Sequence, residues 1–597
     1  MFRLKPRQLA GGAIATTAAL LFTACTSTPA VNGETPEFTD NGAATAPAQG
    51  GGGGTGAGQT TDFPRNETLF TSGSAWGPPS SWNPVAGGTL ATGTMYWCYE
   101  SLFQFDPINL ELVPWLAESG GWVSDDEYTI TLRDNLTWQD GAPLTVDDVL
   151  FTFEDLAQRD YVGWGIDIWR QLESIERVDD YTLNFHFLEP RPQQWESIIR
   201  ERMIVPEHIM GTWTQDQLTT GTNENPVCSG PFMFHSFGQD RMVWERNDNW
   251  WGIETFDKHM PMRYIIDIVS PSNEVALNML MQGTLDWSNN FLPGIQQLIA
   301  RGDVVTYITD SPFMVAGNLA ALIINSERPP MDDVNFRRAL AFAIDSQRIV
   351  DTAYGGIVEK ADPTGLLPLF HGYVDEEVVA ELGFEFNPAR AREILEEAGY
   401  QMGADGYFNT PDGERIDLEL IVPAGWTDWM DAARLISESA AESGIRISIN
   451  FPDSGFVDHA RMSGNFDLTI NNDVAVSSTP WTLYRWLFNY PISEIQFGGN
   501  MGRFDWSQEA WPLTEELAAT RNDDPRFREI ISELQRIQLE EMPIIPMWYN
   551  GFWWQGTEGT WSCWANSEGP VRGYPVTVNN WLGFGSIEVL ANLCPVG

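Results

Sequence analysis

Groups able to do covalent chemistry are present in this chain but are not arranged for it. Six histidines (His186, His208, His235, His259, His371 and His459) are scattered along the sequence, without the short spacing that places two imidazoles on one metal ion. No Gly-x-Ser-x-Gly elbow, His-Glu-x-x-His helix or phosphate-binding loop occurs. Glycoside cleavage needs two carboxylates set across a sugar ring, and among 82 acidic residues no pair stands out. Gly51-x-Gly53-x-x-Gly56 spells a dinucleotide fingerprint, yet no strand precedes it and no helix follows. None of the five cysteines stands in a Cys-x-x-Cys pair, which speaks against a zinc or redox centre. What is abundant is the chemistry of contact. The chain carries 26 tryptophans; most belong in cores, but Trp76, Trp287, Trp481 and Trp553 lie in irregular, polar-rich segments. Binding without a cofactor or metal is the expectation, and catalysis is not.

Charge narrows the partners. The balance of 34 basic against 82 acidic residues leaves a formal charge of -48, which repels nucleic acid and anionic lipid head groups. Lysine occurs only at Lys5, Lys258 and Lys360. The acidity itself reads as solubility. Arg3, Lys5 and Arg7 form a basic head, followed by an apolar run over residues 9–22 that is too short to span a bilayer. Residues 1–24 therefore read as a signal peptide. Thr23-Ala24-Cys25 resembles a bacterial lipobox, which implies cleavage before Cys25 and lipidation of its thiol, with the protein held on the outer face of the cell membrane. Residues 25–63 are rich in Gly, Thr and Ala and too poor in large apolar side chains to fold, so they form a flexible tether.

Cys98, Cys228, Cys563 and Cys594 remain beyond the tether. An even count in an oxidising compartment predicts two disulfides. Three pairings are possible; Cys563–Cys594 is favoured because it would staple the tail, which leaves Cys98–Cys228.

A length of 597 residues exceeds one core and predicts two to four domains. Residues 68–84 read as a strand entering an irregular loop, and 94–103 as a helix. Residues 127–133 and 180–187 alternate apolar and polar as strands do. Thr145 caps a helix over 146–156, with Asp147 and Asp148 favoured in its first turn. Longer helices are predicted over 336–353 and 388–398. Strands and helices mix throughout, giving an α/β or α+β architecture.

Four blocks then resemble, in order, the extracellular solute-binding proteins of family 5, the oligopeptide-binding class. They are Asp126-Glu-Tyr-Thr-Ile-Thr-Leu-Arg133 through Trp138-Gln-Asp-Gly-Ala-Pro-Leu-Thr-Val-Asp-Asp-Val149; Ser229-Gly-Pro-Phe232 leading to Asn247-Asp-Asn-Trp-Trp-Gly252; residues 325–345, with Arg337 and Arg338; and residues 387–399. The blocks themselves read as structural. The resemblance implies a periplasmic-binding-protein fold of type II, with two hinged lobes, an extra small domain and a ligand cleft between the lobes. The corresponding boundaries are 64–310 for lobe I, with the small domain inserted at about 94–224, 311–545 for lobe II, and 546–597 for a return to lobe I. A monomer handing its ligand to an ABC permease in the membrane is expected.

The family binds peptides, oligosaccharides, nickel or opines, so the ligand must come from the residues. Peptide-binding relatives carry an acidic residue for the peptide ammonium; counting from Phe466, that position falls on Val476, although Asp473 lies nearby. Asp286-Trp287-Ser288-Asn289-Asn290-Phe291, Asn471-Asn472 leading to Trp481, and Trp548-Tyr-Asn-Gly-Phe-Trp-Trp-Gln555 resemble instead the oligosaccharide-binding branch. Amides suit hydroxyls that both donate and accept, and indole rings suit the flat C–H faces of sugars. Trp76, Asp286, Trp287, Asn290, Asn471, Asn472, Trp481 and Trp553 are the predicted ligand residues. An oligosaccharide such as a glucoside is the expected ligand, with oligopeptide as the alternative.

Overall fold

The computed structural model describes residues 63–596, apart from 74–76, 108, 475–476, 493–497 and 570–582. Its β-structure is dominated by three sheets. The first has six strands in the order Gln555–Gly556, Trp287–Ser288, Thr68–Ser72, Tyr264–Ile268, Arg241–Arg246 and Phe232–Phe237. The second, also of six, runs Glu359–Lys360, Ile544–Gly551, Ala316–Ile324, Leu468–Asn471, Leu418–Ile421 and Ile447–Asn450. The third is a four-stranded antiparallel sheet, Ala117–Trp122, Glu127–Leu132, Thr182–Phe187 and Leu172–Arg177. The first two sheets define two lobes, and the third belongs to a domain inserted in the first lobe.

Local sequence explains most elements. Glu127–Leu132 and Thr182–Phe187 bury every second residue, as alternation predicts. Thr145 and Asp148 form a reciprocal capping box at the start of Val146–Leu150, and the helical path continues through Phe151–Leu156 with wider, π-type turns. Asn387 caps Pro388–Glu397 and Pro388 takes the first helical position. By contrast, Ala316–Ile324 is almost wholly buried, because strands flank it on both sides and helices cover the sheet.

Two expectations are corrected. Residues 336–353 are not one helix: Val334–Ala343 ends at extended Ile344, and Asp345 caps a second helix, Ser346–Thr352, by accepting from the Arg348 N–H. Residues 94–103 form no helix at all. Tyr96 stands at φ 67°, and the Trp97 and Cys98 carbonyls accept from the backbone N–H groups of Phe232, Ser229 and Gly230. The adjoining Cys98–Cys228 disulfide belongs to the same junction. Tertiary hydrogen bonds and a cross-link take the backbone that a helix would need.

Beside that junction lies the carboxylate of Glu100, which is fully buried. It accepts from the indole N–H groups of Trp115 (2.8 Å), Trp250 (3.1 Å) and Trp251 (2.9 Å). The Asn-Asp-Asn-Trp-Trp block is thereby given a structural task, joining the inserted domain to the first lobe. The tail is tied to the same lobe. Cys563–Cys594 is formed, and the Trp561 indole donates to the Thr68 carbonyl at 3.0 Å.

Burial pushes the Glu100 carboxyl up to about 7 despite its hydrogen bonds, and it pushes Asp267 and Asp428 up to about 6. A carboxyl whose folded pKa exceeds its unfolded value holds its proton more tightly when folded, so it adds stability as pH falls through that window. The melting temperature should therefore be higher at pH 5.5 than at pH 8.5. Glu100→Gln should melt lower than wild type at both values, because an amide N–H replaces one acceptor facing the indoles, and should shift less between them. Calorimetric scans at the two pH values check this; a higher wild-type melting temperature at pH 8.5 would contradict it.

Candidate functional site

Where the two lobes meet, a cavity of about 180 Å³ opens between the ends of several elements. The first lobe contributes Gly73, just past Thr68–Ser72, then Asn273 at the start of Asn273–Met281, and Asn289 and Phe291 just past Trp287–Ser288. The second contributes Asn318 on Ala316–Ile324, Trp426, Asp428 and Trp429 at the start of Thr427–Glu442, and Asn472 just past Leu468–Asn471. Asn550, Gly551, Phe552 and Trp553 close it where Ile544–Gly551 runs out. Gly73 sits at φ 114°, and a Cβ there would lie 2.5 Å from the Asn289 carbonyl carbon. Only glycine permits that approach of two chain segments.

Five lining residues are asparagines, five are aromatic, one is an acid, and none is Lys, Arg or His. The acid is held in place: Asp428 accepts from the Tyr354 hydroxyl at 3.1 Å and from Asn273 Nδ2 at 3.1 Å. Asn472 Nδ2 donates to Asn318 Oδ1 at 3.3 Å, and Asn289 Nδ2 to the Trp553 carbonyl at 2.8 Å. Trp553 lies parallel to Tyr354, with centroids 5.9 Å apart and planes 6° apart, and meets the edge of Phe291 at 5.2 Å. Such packing fixes an indole before any ligand arrives. The wall thus offers amide donors and acceptors beside rigid aromatic surface, with one carboxylate and no cation.

Of the eight ligand residues expected from sequence, Asn472 and Trp553 line this cavity. Trp76 lies outside the described residues, as do Cys25 and Val476. The other five are engaged elsewhere. Asp286 is buried and takes a two-pronged ion pair from Arg65 (2.5 and 2.8 Å) together with the Phe70 N–H (2.9 Å). Trp287 is packed edge-on against Trp554 and Trp564 in the first-lobe core. Asn290 is buried beneath the loop, its Oδ1 accepting from the Ser72 hydroxyl at 3.2 Å. Asn471 is buried too, its Oδ1 accepting from the Asp473 N–H at 2.8 Å. Trp481 opens the helix Trp481–Phe488 with only 5% of its surface exposed. The physical reason is shared: polar residues near strand ends are buried beside neighbouring side chains and backbone that take their oxygens, and an irregular segment can still bury its indole.

Sequence reasoning missed Asn273, Asn318 and the Trp426-Thr-Asp-Trp429 turn. The last had a usable signal, since Pro423-Ala-Gly425 forces a turn just before two tryptophans and an acid that open a helix. The former two had none.

The model of the bacterial extracellular solute-binding proteins, family 5 (middle), matches residues 111–493. The chain belongs to this family. A family 5 solute-binding protein serves an ABC importer by capturing a small molecule and delivering it to a membrane permease. Among solved structures of the family's fold, a mannohexaose-bound periplasmic oligopeptide-binding protein of an oligopeptide ABC transporter from Thermotoga maritima is 39% identical. It covers 89% of this chain and 99% of its own, with a TM-score of 0.85. The oligopeptide-binding protein AppA of Bacillus subtilis, solved with a nonapeptide, is 21% identical over 89% of this chain and 99% of its own, with a TM-score of 0.72. The peptide transport periplasmic protein SapA of Salmonella typhimurium is 24% identical over 79% of this chain and 85% of its own. These likenesses establish the type II periplasmic-binding-protein fold for this family 5 chain. Among its described residues no helix is long and apolar enough to cross a membrane.

Asp286→Asn separates structural from ligand-facing acids in this family member. It should lower the melting temperature by about 2–4 °C, through loss of a charge-assisted pair worth roughly 1–3 kcal/mol and half open to solvent on the arginine side. Ligand affinity should stay within about twofold, a change below roughly 0.5 kcal/mol. Scanning calorimetry and titration of the same samples check both halves.

Proposed function

We propose that this chain is the oligosaccharide-binding lipoprotein of an ABC importer. The observation that carries the reading is the composition of the cavity wall: five asparagine amides beside Trp426, Trp429, Trp553, Phe291 and Phe552, with no cationic side chain. A neutral polyhydroxylated ligand presents hydroxyls to amides that donate and accept, and C–H faces to fixed rings. The mannohexaose held by the Thermotoga maritima relative, at 39% identity, supports the same class of ligand. In this reading Trp553 and Trp426 stack on sugar rings while Asn472, Asn318 and Asn550 take hydroxyls. Rotation of the second lobe towards the first then traps the sugar. Only contacts that improve on closure can drive that rotation. The leader over residues 1–24 and the tether over 25–63 export the protein and hold it to the membrane through lipidated Cys25.

Peptide is the second reading, favoured by one observation. Asp428 in the wall, or Asp473 near the same loop, offers a carboxylate to an α-ammonium. Against it, both Asp428 oxygens already accept hydrogen bonds, and burial raises its pKa to about 6, so its charge is costly before any peptide arrives.

Titration calorimetry of the chain from residue 60 onward should show saturable heat with one α- or β-linked oligosaccharide series and none with tri- to pentapeptides. A sugar present at 100 times its Kd should stabilise the fold by about 2.7 kcal/mol. Trp553→Ala should weaken sugar binding at least about tenfold, the loss expected when a fixed aromatic anchor goes. Heat from peptides alone would overturn the reading.

A further inference from the structure

Chain connectivity separates the inserted domain from the second lobe. The second lobe is entered and left through the stretch between Trp287–Ser288 and Ala316–Ile324 and that between Ile544–Gly551 and Gln555–Gly556, both leading to the first lobe. The inserted domain is joined to the first lobe by the Cys98–Cys228 disulfide and by the indoles around Glu100. Among the described residues no covalent link joins it to the second lobe. Any rotation that separates the two lobes must therefore break whatever holds the inserted domain to the second.

What holds them is a seam of charged and polar contacts, none of whose residues line the cavity. On one side stands the helix Pro192–Glu201 with the residues near it; on the other stand Ala510–Ala519 and the turn that follows. Glu515 is the centre. Its carboxylate takes Arg191 Nη2 at 2.7 Å and Arg170 Nη1 at 3.3 Å. Gln193 Nε2 donates to the Thr520 carbonyl at 2.8 Å and to Asn522 Oδ1 at 2.6 Å. Two further ion pairs reverse the polarity: Arg485 to Asp167 at 3.2 Å and Arg521 to Asp125 at 3.5 Å. Alternating signs along a seam admit one register and penalise others. Phe105 of the inserted domain adds an apolar contact, packing in the second-lobe cluster with Leu319 and Phe552.

Arg191 makes this seam sensitive to a single partner. Its side chain is 10% exposed, and its Nε and Nη1 have no acceptor among the described residues. Glu515 is the one carboxylate paired with it among the described residues. A buried guanidinium that loses its only counter-charge is driven towards water, and here water is reached by opening the seam.

We propose that the seam centred on Glu515 is an ionic clasp that biases the lobes towards closure even without ligand and sets how slowly a captured ligand leaves. Closure is then shared between ligand contacts and the clasp. The ligand part of this statement rests on the binding function proposed above; the ligand-free part does not.

The test compares wild type, Glu515→Gln, Arg170→Gln and Glu414→Gln, the last removing one negative charge on an exposed turn far in sequence from the seam. Small-angle X-ray scattering of the ligand-free proteins needs no knowledge of the ligand. Glu515→Gln should have the larger radius of gyration, Arg170→Gln should move the same way by less, and Glu414→Gln should match wild type. With mannohexaose as probe, stopped-flow release should be about tenfold faster for Glu515→Gln, with association changed less than threefold. If mannohexaose does not bind, the scattering comparison alone decides the clasp while the oligosaccharide reading fails separately. If Glu515→Gln does not fold, as judged by circular dichroism, Arg170→Gln carries the test. Scattering curves for the seam variants that superimpose on wild type would overturn the proposal.

Discussion

The carboxylate of Glu100 is the constraint on which the arrangement of the first lobe rests. A buried acid is costly unless its lone pairs are used, and here three tryptophans from two parts of the chain converge on it. Those indoles cannot satisfy Glu100 unless the Trp115 strand region and the Trp250-Trp251 turn are brought together. The nearby disulfide then fixes the same junction covalently. The inserted domain and the first lobe are held together in this way, and the cavity lies where the second lobe meets the first.

The cavity draws its residues from places where regular structure ends. Gly73, Asn289, Asn472 and Asn550 stand at or beyond strand ends, and Asn273 and Asp428 at helix starts. There the backbone leaves its ladder, so side chains are released from core packing while the element behind keeps them rigid. Asn273 and Asp428 also bond to each other at 3.1 Å across the junction, so the polar wall is already cross-braced. Aromatic residues are braced likewise, Trp553 against Tyr354 and Phe291.

Much of the fold was legible because its signals are local. Alternation over 127–132 and 182–187, the Thr145 cap, the helix beginning at Pro388, and the favoured cysteine pairing all appear in the structure. The failures at 94–103 and at Asp345 are also physical. In the first, tertiary partners capture the backbone; in the second, a capping side chain restarts a helix that the apolar pattern alone would have continued. The cavity was less legible. Of the expected residues, Asn472 and Trp553 line it, whereas Trp287 and Asp286 are buried in the first lobe. Period-2 alternation tells which residues share a face but not which face meets the other lobe. Trp429 is fully buried from bulk water yet lines the cavity, a situation that only the crossing of elements reveals.

The tail has a consequence for the order in which the molecule can be assembled. Strand Gln555–Gly556 edges the first sheet, and the Trp561 indole reaches back 493 residues to the Thr68 carbonyl. The second sheet, by contrast, is complete once residue 551 has been made. A chain emerging amino-terminus first can therefore finish its later lobe before its earlier one. The amino-terminal lobe must wait for the last residues, with its edge beside Trp287–Ser288 unpaired until they arrive. Contacts of such long separation close slowly, so the lobe begun first is the one left open longest to wrong partners.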